Sequence, residues 1–286
     1  MQKIIICFTG EPRALKKGLY ARNKLLKKHK NFKFEIETRY IMSFLNDKKN
    51  ENNKLKILER IPILKDDEDL KSIKFNDHKY DNIWTNLIGQ KYEILCDLKK
   101  DHLNIQNTII LLTRTDWLFT KDTLNLINES INSKKIVIPF LTNNYSYFEG
   151  EKFIPIFDHF MVIPGNLVED LIKALEISIQ ISLKQNMNDN IKNLKLGGNG
   201  KNRYGITPEN LLGIGFKLSK LNKKSKVIND FYFKFPADMY GTNFHNLIRD
   251  DAHLWMNLSF KDFCQKYWWF IKTKICKFIY SFLKNK

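Results

Sequence analysis

The sequence predicts an α/β fold built on a mostly parallel, Rossmann-like sheet flanked by helices, and three observations carry that expectation. Residues 4–8 (Ile-Ile-Ile-Cys-Phe) are a short β-branched run bounded by turn residues, the pattern of a strand covered on both faces. That run passes through Thr9-Gly10-Glu11-Pro12-Arg13 into a basic segment, 14–30, with helical character, so the chain opens strand, turn, helix. Residues 108–112 form a second apolar run, with Arg114-Thr115-Asp116 at its carboxyl end. Strands that alternate with helices in this way fold as layered α/β sheets.

The remaining elements follow in order. Residues 32–40 read as a second strand, and 46–82, dense in Lys, Asn and Asp, as variable exposed structure. Residues 80–100 have helical spacing, with Trp84, Leu87, Ile88, Tyr92, Leu95 and Leu98 on one face. A helix over 121–133 and a strand over 135–140 come next, then a short strand over 157–163 that contains Asp158 and His159. Residues 167–184 form a strongly amphipathic helix, and 186–204, with Gly197, Gly198 and Gly200, a loop. Pro208 and Glu209 open a further helix, since Pro suits a first helical turn. No internal repeat is visible. The expected organisation is a catalytic domain over 1–255 and a separate carboxyl-terminal helix within 256–286.

Composition narrows the partners. With 286 residues, 43% apolar and 28% charged, the chain is neither collagenous, nor low-complexity, nor a disulfide scaffold. Cys7, Cys96, Cys264 and Cys276 form no CxxC pair, which argues against zinc ribbons and redox motifs and for a reducing compartment. The formal charge of +17 favours anionic partners such as nucleotides or phosphorylated lipids. It comes from 41 Lys and only 7 Arg, beside 30 Asn, a bias that an AT-rich coding sequence produces as readily as function does. Base readout and bidentate phosphate grips lean on Arg, so nucleic acid is not an expected partner. The opening residues lack the long apolar region of a signal peptide, and no apolar run approaches the ~20 residues of a membrane span.

The last segment has its own character. Between Lys261 and Lys286 there are seven Lys and one acid, Asp262, interleaved with aromatic and aliphatic residues. On a helix, Phe263, Tyr267, Ile271, Ile275, Phe278 and Phe282 share one side, the pattern of a helix lying in a membrane interface. The competing reading is a terminal helix packed on the core. Trp268, Trp269 and the many lysines favour the membrane, giving an expected location at the cytoplasmic face of the inner membrane.

Three places could carry chemistry. A carboxylate at the carboxyl edge of a buried parallel strand sits where open α/β sheets bind ligands, and hard divalent cations take oxygen ligands there. Asp116 fits that role, with Arg114 neutralising phosphate; a capped turn is the alternative. Thr9, Gly10 and Arg13 form the second place, where a tight turn hands a helix N-terminus to an anion. It is neither a G-x-G-x-x-G fingerprint nor a P-loop, and a plain connection is the alternative. Asp158 and His159 are the third, a carboxylate and an imidazole suited to taking a hydroxyl proton. Successive strand residues face opposite ways, so only one of the two, Asp158, is expected to face the site. Glu209 would orient hydroxyls or simply favour its helix's first turn.

Four motifs bear a family resemblance. Phe8-Thr9-Gly10-Glu11-Pro12-Arg13, Leu112-Thr113-Arg114-Thr115-Asp116, Phe157-Asp158-His159-Phe160 and Thr207-Pro208-Glu209-Asn210-Leu211-Leu212 resemble, in order over residues 1–215, bacterial surface-polysaccharide glycosyltransferase-like proteins of the WavE type. Glu11 stands where that family usually has Gln, Thr113 where it often has Arg, and Pro164-Gly165 where an aromatic-Gly pair is common. The resemblance implies a GT-A-like fold, a nucleotide-sugar donor and a divalent metal (Mn²⁺ or Mg²⁺) on Asp116, with Arg13 in the donor loop. GT-A-like enzymes often bring a late His to the metal, and His245 is the nearest match. The expected activity is sugar transfer to a lipid-linked surface glycan in lipopolysaccharide or capsule synthesis. The alternatives are nucleotidyl or phospho-group transfer to a glycan, and a non-enzymatic module that binds membranes or nucleic acid.

Overall fold

The computed structural model describes residues 3–10, 19, 22–23, 35–42, 68–75, 83–102, 105–114, 121–139, 146–148, 151–186 and 207–228. Seven strands form one mixed, mostly parallel sheet: β1 (Lys3–Gly10), β2 (Glu35–Met42), β3 (Leu70–Phe75), β4 (Thr108–Arg114), β5 (Ile136–Pro139), β8 (Phe160–Pro164) and β9 (Ser225–Ile228), in the order β3-β2-β1-β4-β8-β5-β9. A separate hairpin pairs β6 (Ser146–Phe148) with β7 (Glu151–Phe153). The helices are α1 (Ile83–Asp101), α2 (Lys121–Ser133), α3 (Val168–Asn186) and α4 (Pro208–Leu218). This is a Rossmann-like α/β sheet, as the strand–helix alternation predicts.

The apolar runs do what their composition demands. Ile4 to Phe8 and Ile109 to Leu112 are buried along their whole length at the centre of the sheet. Each such side chain contributes roughly 1.5–3 kcal/mol on leaving water. Alternation along β2 separates the two covered faces. Glu37 and Arg39 meet His102 and Asp101 at the end of α1, whereas Thr38 accepts from Arg22, in the helical stretch after β1, at 2.6 Å. Helices therefore lie on both sides.

β8 alone runs against its neighbours, pairing antiparallel with both β4 and β5. The chain leaves β5 at the carboxyl edge and carries the β6–β7 hairpin before β8, with no crossover helix to return it to the amino edge. The next strand must then run back down. α3 and α4 pack antiparallel on the α1 face, with Ser178 Oγ donating to the Leu211 carbonyl at 2.8 Å. Two glycines permit this packing. A Cβ on Gly215 would come within 2.2 Å of Ser178 Oγ, and one on Gly165 within 1.7 Å of the Ile105 carbonyl oxygen.

Several sequence expectations need correction. The stretch 46–82 contains strand β3, although it reads as irregular. The strand expected over 157–163 begins only at Phe160, and Asp158 and His159 form the bend before it. Strand β9 and the hairpin were not expected at all. The loop expected over 186–204 and the helix within 256–286 fall, but for Asn186, outside the described residues. No helix among the described residues is long and apolar enough to cross a membrane.

Candidate active site

The sheet order reverses at β1. From there the chain moves outward through β2 to β3, then returns to place β4 on the other side of β1. Open α/β sheets receive ligands at such a switch point, outside the carboxyl ends of the strands. Thr9 of β1 and Arg114 of β4 are in register and end there together. Antiparallel β8 starts at the same edge, with Phe160 opposite Thr113, and the Arg114 backbone N–H donates to the His159 carbonyl at 2.9 Å. The Asp158–His159 bend is thereby delivered beside Arg114.

Helix α4 supplies the next member. Thr207 caps it by accepting from the Asn210 N–H at 3.3 Å, Pro208 fills the first turn, and Glu209 follows in that turn. The Ile156 backbone N–H donates to the Glu209 carbonyl at 2.9 Å, tying the helix start to the segment that leads into the bend. Four side chains from three segments converge, with Arg114 8%, Asp158 2% and His159 8% exposed.

Their electrostatics are tightly linked. Arg114 Nη1 lies 3.0 Å from His159 Nε2 and 3.8 Å from Asp158 Oδ2. A guanidinium only donates, so Nε2 accepts, and the imidazole that accepts there carries its proton on Nδ1. His159 Nε2 also sits 3.2 Å from Asp158 Oδ1, and the ring is tilted by 30° against Phe157, its centroid 4.4 Å away. Burial, then the charge of Asp158, raises the Glu209 pKa above the usual carboxyl range, and Arg114 offsets only part of that. Two carboxyls share one guanidinium, and Glu209 is the one that keeps its proton.

The fit to a metal can be judged from the same atoms. One donor atom each from Asp158, His159 and Glu209 lies within 4.8 Å of the others, a spacing that could hold a divalent cation. An ion on His159 Nε2 would need the lone pair that Arg114 occupies, so metal and guanidinium exclude one another at that nitrogen. Asp116 and His245, the residues expected to bind metal, lie outside the described residues, as does Arg13.

Of the other expected residues, Thr9 is buried with its hydroxyl donating to the Thr113 carbonyl at 3.4 Å, and Gly10 closes β1 at φ +101°, a conformation that suits glycine. Asp158 and His159 correct the expectation that only one of them faces the site. They lie in a bend and not in a strand, so strand alternation does not separate them. Arg114, expected to neutralise phosphate, is engaged with both. Sequence reasoning missed Lys91, which lies 3.5 Å from Thr9 Oγ1. The available signal was a lysine four residues from both Leu87 and Leu95, on the apolar stripe of α1.

No family model and no curated protein matches the chain. Among solved structures, the crystal structure of 4-diphosphocytidyl-2C-methyl-D-erythritol synthase is similar at a TM-score of 0.36 and 12% identity, over 78% of this chain and 100% of that one. A likeness at that level carries no argument for activity; fold and site rest on the strand pairing and side-chain geometry of this chain.

Proposed function

We propose that the chain is a glycosyltransferase that moves a sugar from a nucleotide-sugar donor to a lipid-linked surface glycan. One observation supports this above the rest: Arg114, Asp158, His159 and Glu209 converge at the carboxyl edge beside the switch point. The motifs of the WavE-type resemblance contribute all four, and a mostly parallel sheet suits the GT-A-like fold that the resemblance implies.

In this reading the acceptor hydroxyl loses its proton to the Asp158 carboxylate as its oxygen bonds to the anomeric carbon. The bond from that carbon to the nucleoside diphosphate breaks, and its electron pair leaves with the phosphate oxygen. Glu209, holding its proton, donates a hydrogen bond to a sugar or phosphate oxygen. Neutral His159 fixes the Asp158 carboxylate, and Arg114 balances the charge of the cluster. A divalent cation on Asp116 would stabilise charge on the departing diphosphate.

Purified full-length chain should hydrolyse or transfer a nucleotide sugar and release nucleoside diphosphate. Asp158→Asn should lower turnover by about 10²–10⁴-fold, the usual worth of a general base. Release of pyrophosphate would instead indicate nucleotidyl transfer, and turnover unaffected by Asp158→Asn would refute the assigned base. The basic aromatic segment within 256–286 is the proposed membrane anchor. Deleting it should abolish liposome binding while sparing donor turnover.

A further inference from the structure

Helix α1 encloses polar residues where packing on a sheet calls for apolar ones. Gln90 is wholly buried, and among the described residues neither its amide oxygen nor its amide nitrogen has a hydrogen-bond partner. Lys91, the next residue, is 1% exposed. Taking an ammonium out of water is expensive unless negative charge or strong acceptors meet it. Leu95 and Leu98, further along the same stripe, are fully buried, and a leucine at 91 would pack there without that penalty. Packing therefore does not account for the lysine.

Its position does. Lys91 Nζ lies 3.5 Å from Thr9 Oγ1, at the last side chain of β1 before Gly10 turns the backbone at φ +101°. Thr9 is in register with Arg114, so the ammonium sits beneath the β1–β4 switch point. Among the described residues, nothing lies within 4 Å of where a Cβ on Gly10 would project. Arg114 is held at its own end of the crevice by His159 and Asp158, which leaves Lys91 as the cation on the α1 side.

We propose that Lys91 is a phosphate-binding residue of this site, its ammonium holding the diphosphate of the nucleotide against Thr9 and Gly10. The assignment rests on the nucleotide-dependent reading of the site and adds a cation from α1, a helix to which that reading gives no role. It divides the positive charge between two tasks: Arg114 balances the acid–base cluster, and Lys91 receives the phosphates.

Titration calorimetry on the full chain with Mn²⁺ present, using UDP, GDP, CDP, ADP, their parent nucleosides and inorganic pyrophosphate, tests both levels. One diphosphate should bind the wild type. Lys91→Met, close in volume and uncharged, should weaken it by at least about tenfold, the scale of a lost charge-assisted contact, and leave the parent nucleoside within about twofold. If the wild type binds no diphosphate and no pyrophosphate, the nucleotide reading falls. If it binds and Lys91→Met binds equally well, only the role of Lys91 falls. A second measurement needs no variant: wild type is labelled with pyridoxal 5′-phosphate and borohydride, with and without the bound diphosphate, and its peptides are mapped. Protection of Lys91 supports the proposal. Absence of label on Lys91, or label there that the diphosphate does not block, overturns it.

Discussion

Acidification should remove a defined part of the stability of this fold through Glu37, at the amino edge of the sheet. Glu37 is 2% exposed. It accepts from Lys3 Nζ at 2.7 Å, from Arg39 Nε at 2.7 Å and from His102 Nε2 at 3.1 Å. Burial alone would raise its pKa, but the bonds from Lys3, Arg39 and His102 outweigh that and hold it at about 2, against 4.5 for an ordinary glutamate. Below pH 4.5 the unfolded chain takes up a proton that the folded chain refuses. The stabilisation is therefore complete above about 4.5 and is lost as pH falls towards 2. At 1.36 kcal/mol per pKa unit the shift is worth about 3 kcal/mol, a large share of a typical domain's stability. Urea unfolding followed by far-UV circular dichroism at pH 7, 5, 4 and 3 measures it. Glu37→Gln cannot titrate, so it should lie about 3 kcal/mol below wild type at pH 7, and the gap should close as pH falls through 4. A gap of constant size from pH 7 to pH 3 would show that the carboxylate's charge is not what Lys3, Arg39 and His102 stabilise.

Three further outcomes follow from the geometry. Gly165→Ala would place a Cβ 1.7 Å from the Ile105 carbonyl oxygen, a backbone atom that cannot swing aside, so melting should fall by the equivalent of about 1–3 kcal/mol or more; an unchanged melting temperature would refute that close approach. Cys7 is fully buried and its thiol is pushed up to about 12, so peptide mapping after iodoacetamide treatment of folded protein should find Cys7 unmodified, and denatured protein should be labelled there. Glu209 acts while protonated and its pKa is raised, so turnover should decline as pH climbs through that value. Glu209→Gln, which imitates the protonated form, should lose this alkaline limb and keep part of its activity, whereas a wild-type profile in the variant would remove Glu209 from the proton account.

How much of this was legible in the chain depends on where each element lies in the sheet. β1 and β4 are central and covered on both faces, so Ile4–Phe8 and Ile109–Leu112 read as unbroken apolar runs. β3 and β9 are the two edges. Their sequences, Leu-Lys-Ser-Ile-Lys-Phe and Ser-Lys-Val-Ile, carry lysines that keep edge strands soluble and unpaired, and the same lysines hide them from a search for apolar runs. The α4 start was readable because Thr207 and Pro208 are local signals that need no partner. Lys91 was not, because helical periodicity assigns a lysine to solvent, and only the tertiary contact with Thr9 shows otherwise.

The site follows the same division, and its chemistry explains which part stayed hidden. Arg114, Asp158, His159 and Glu209 could each be singled out because functional groups in α/β sheets gather at element ends. Their mutual dependence could not. In sequence Asp158 and Glu209 are two acids 51 positions apart, each free to ionise. Once β8 runs antiparallel beside β4, Arg114 and Asp158 come within 3.8 Å, and α4 brings Glu209 onto the same buried pair. A single guanidinium cannot balance two desolvated carboxylates, so one must remain an acid. The difference between the carboxyls, one a base and the other a hydrogen-bond donor, is therefore created by the sheet's single antiparallel strand and not by either residue's neighbours in sequence.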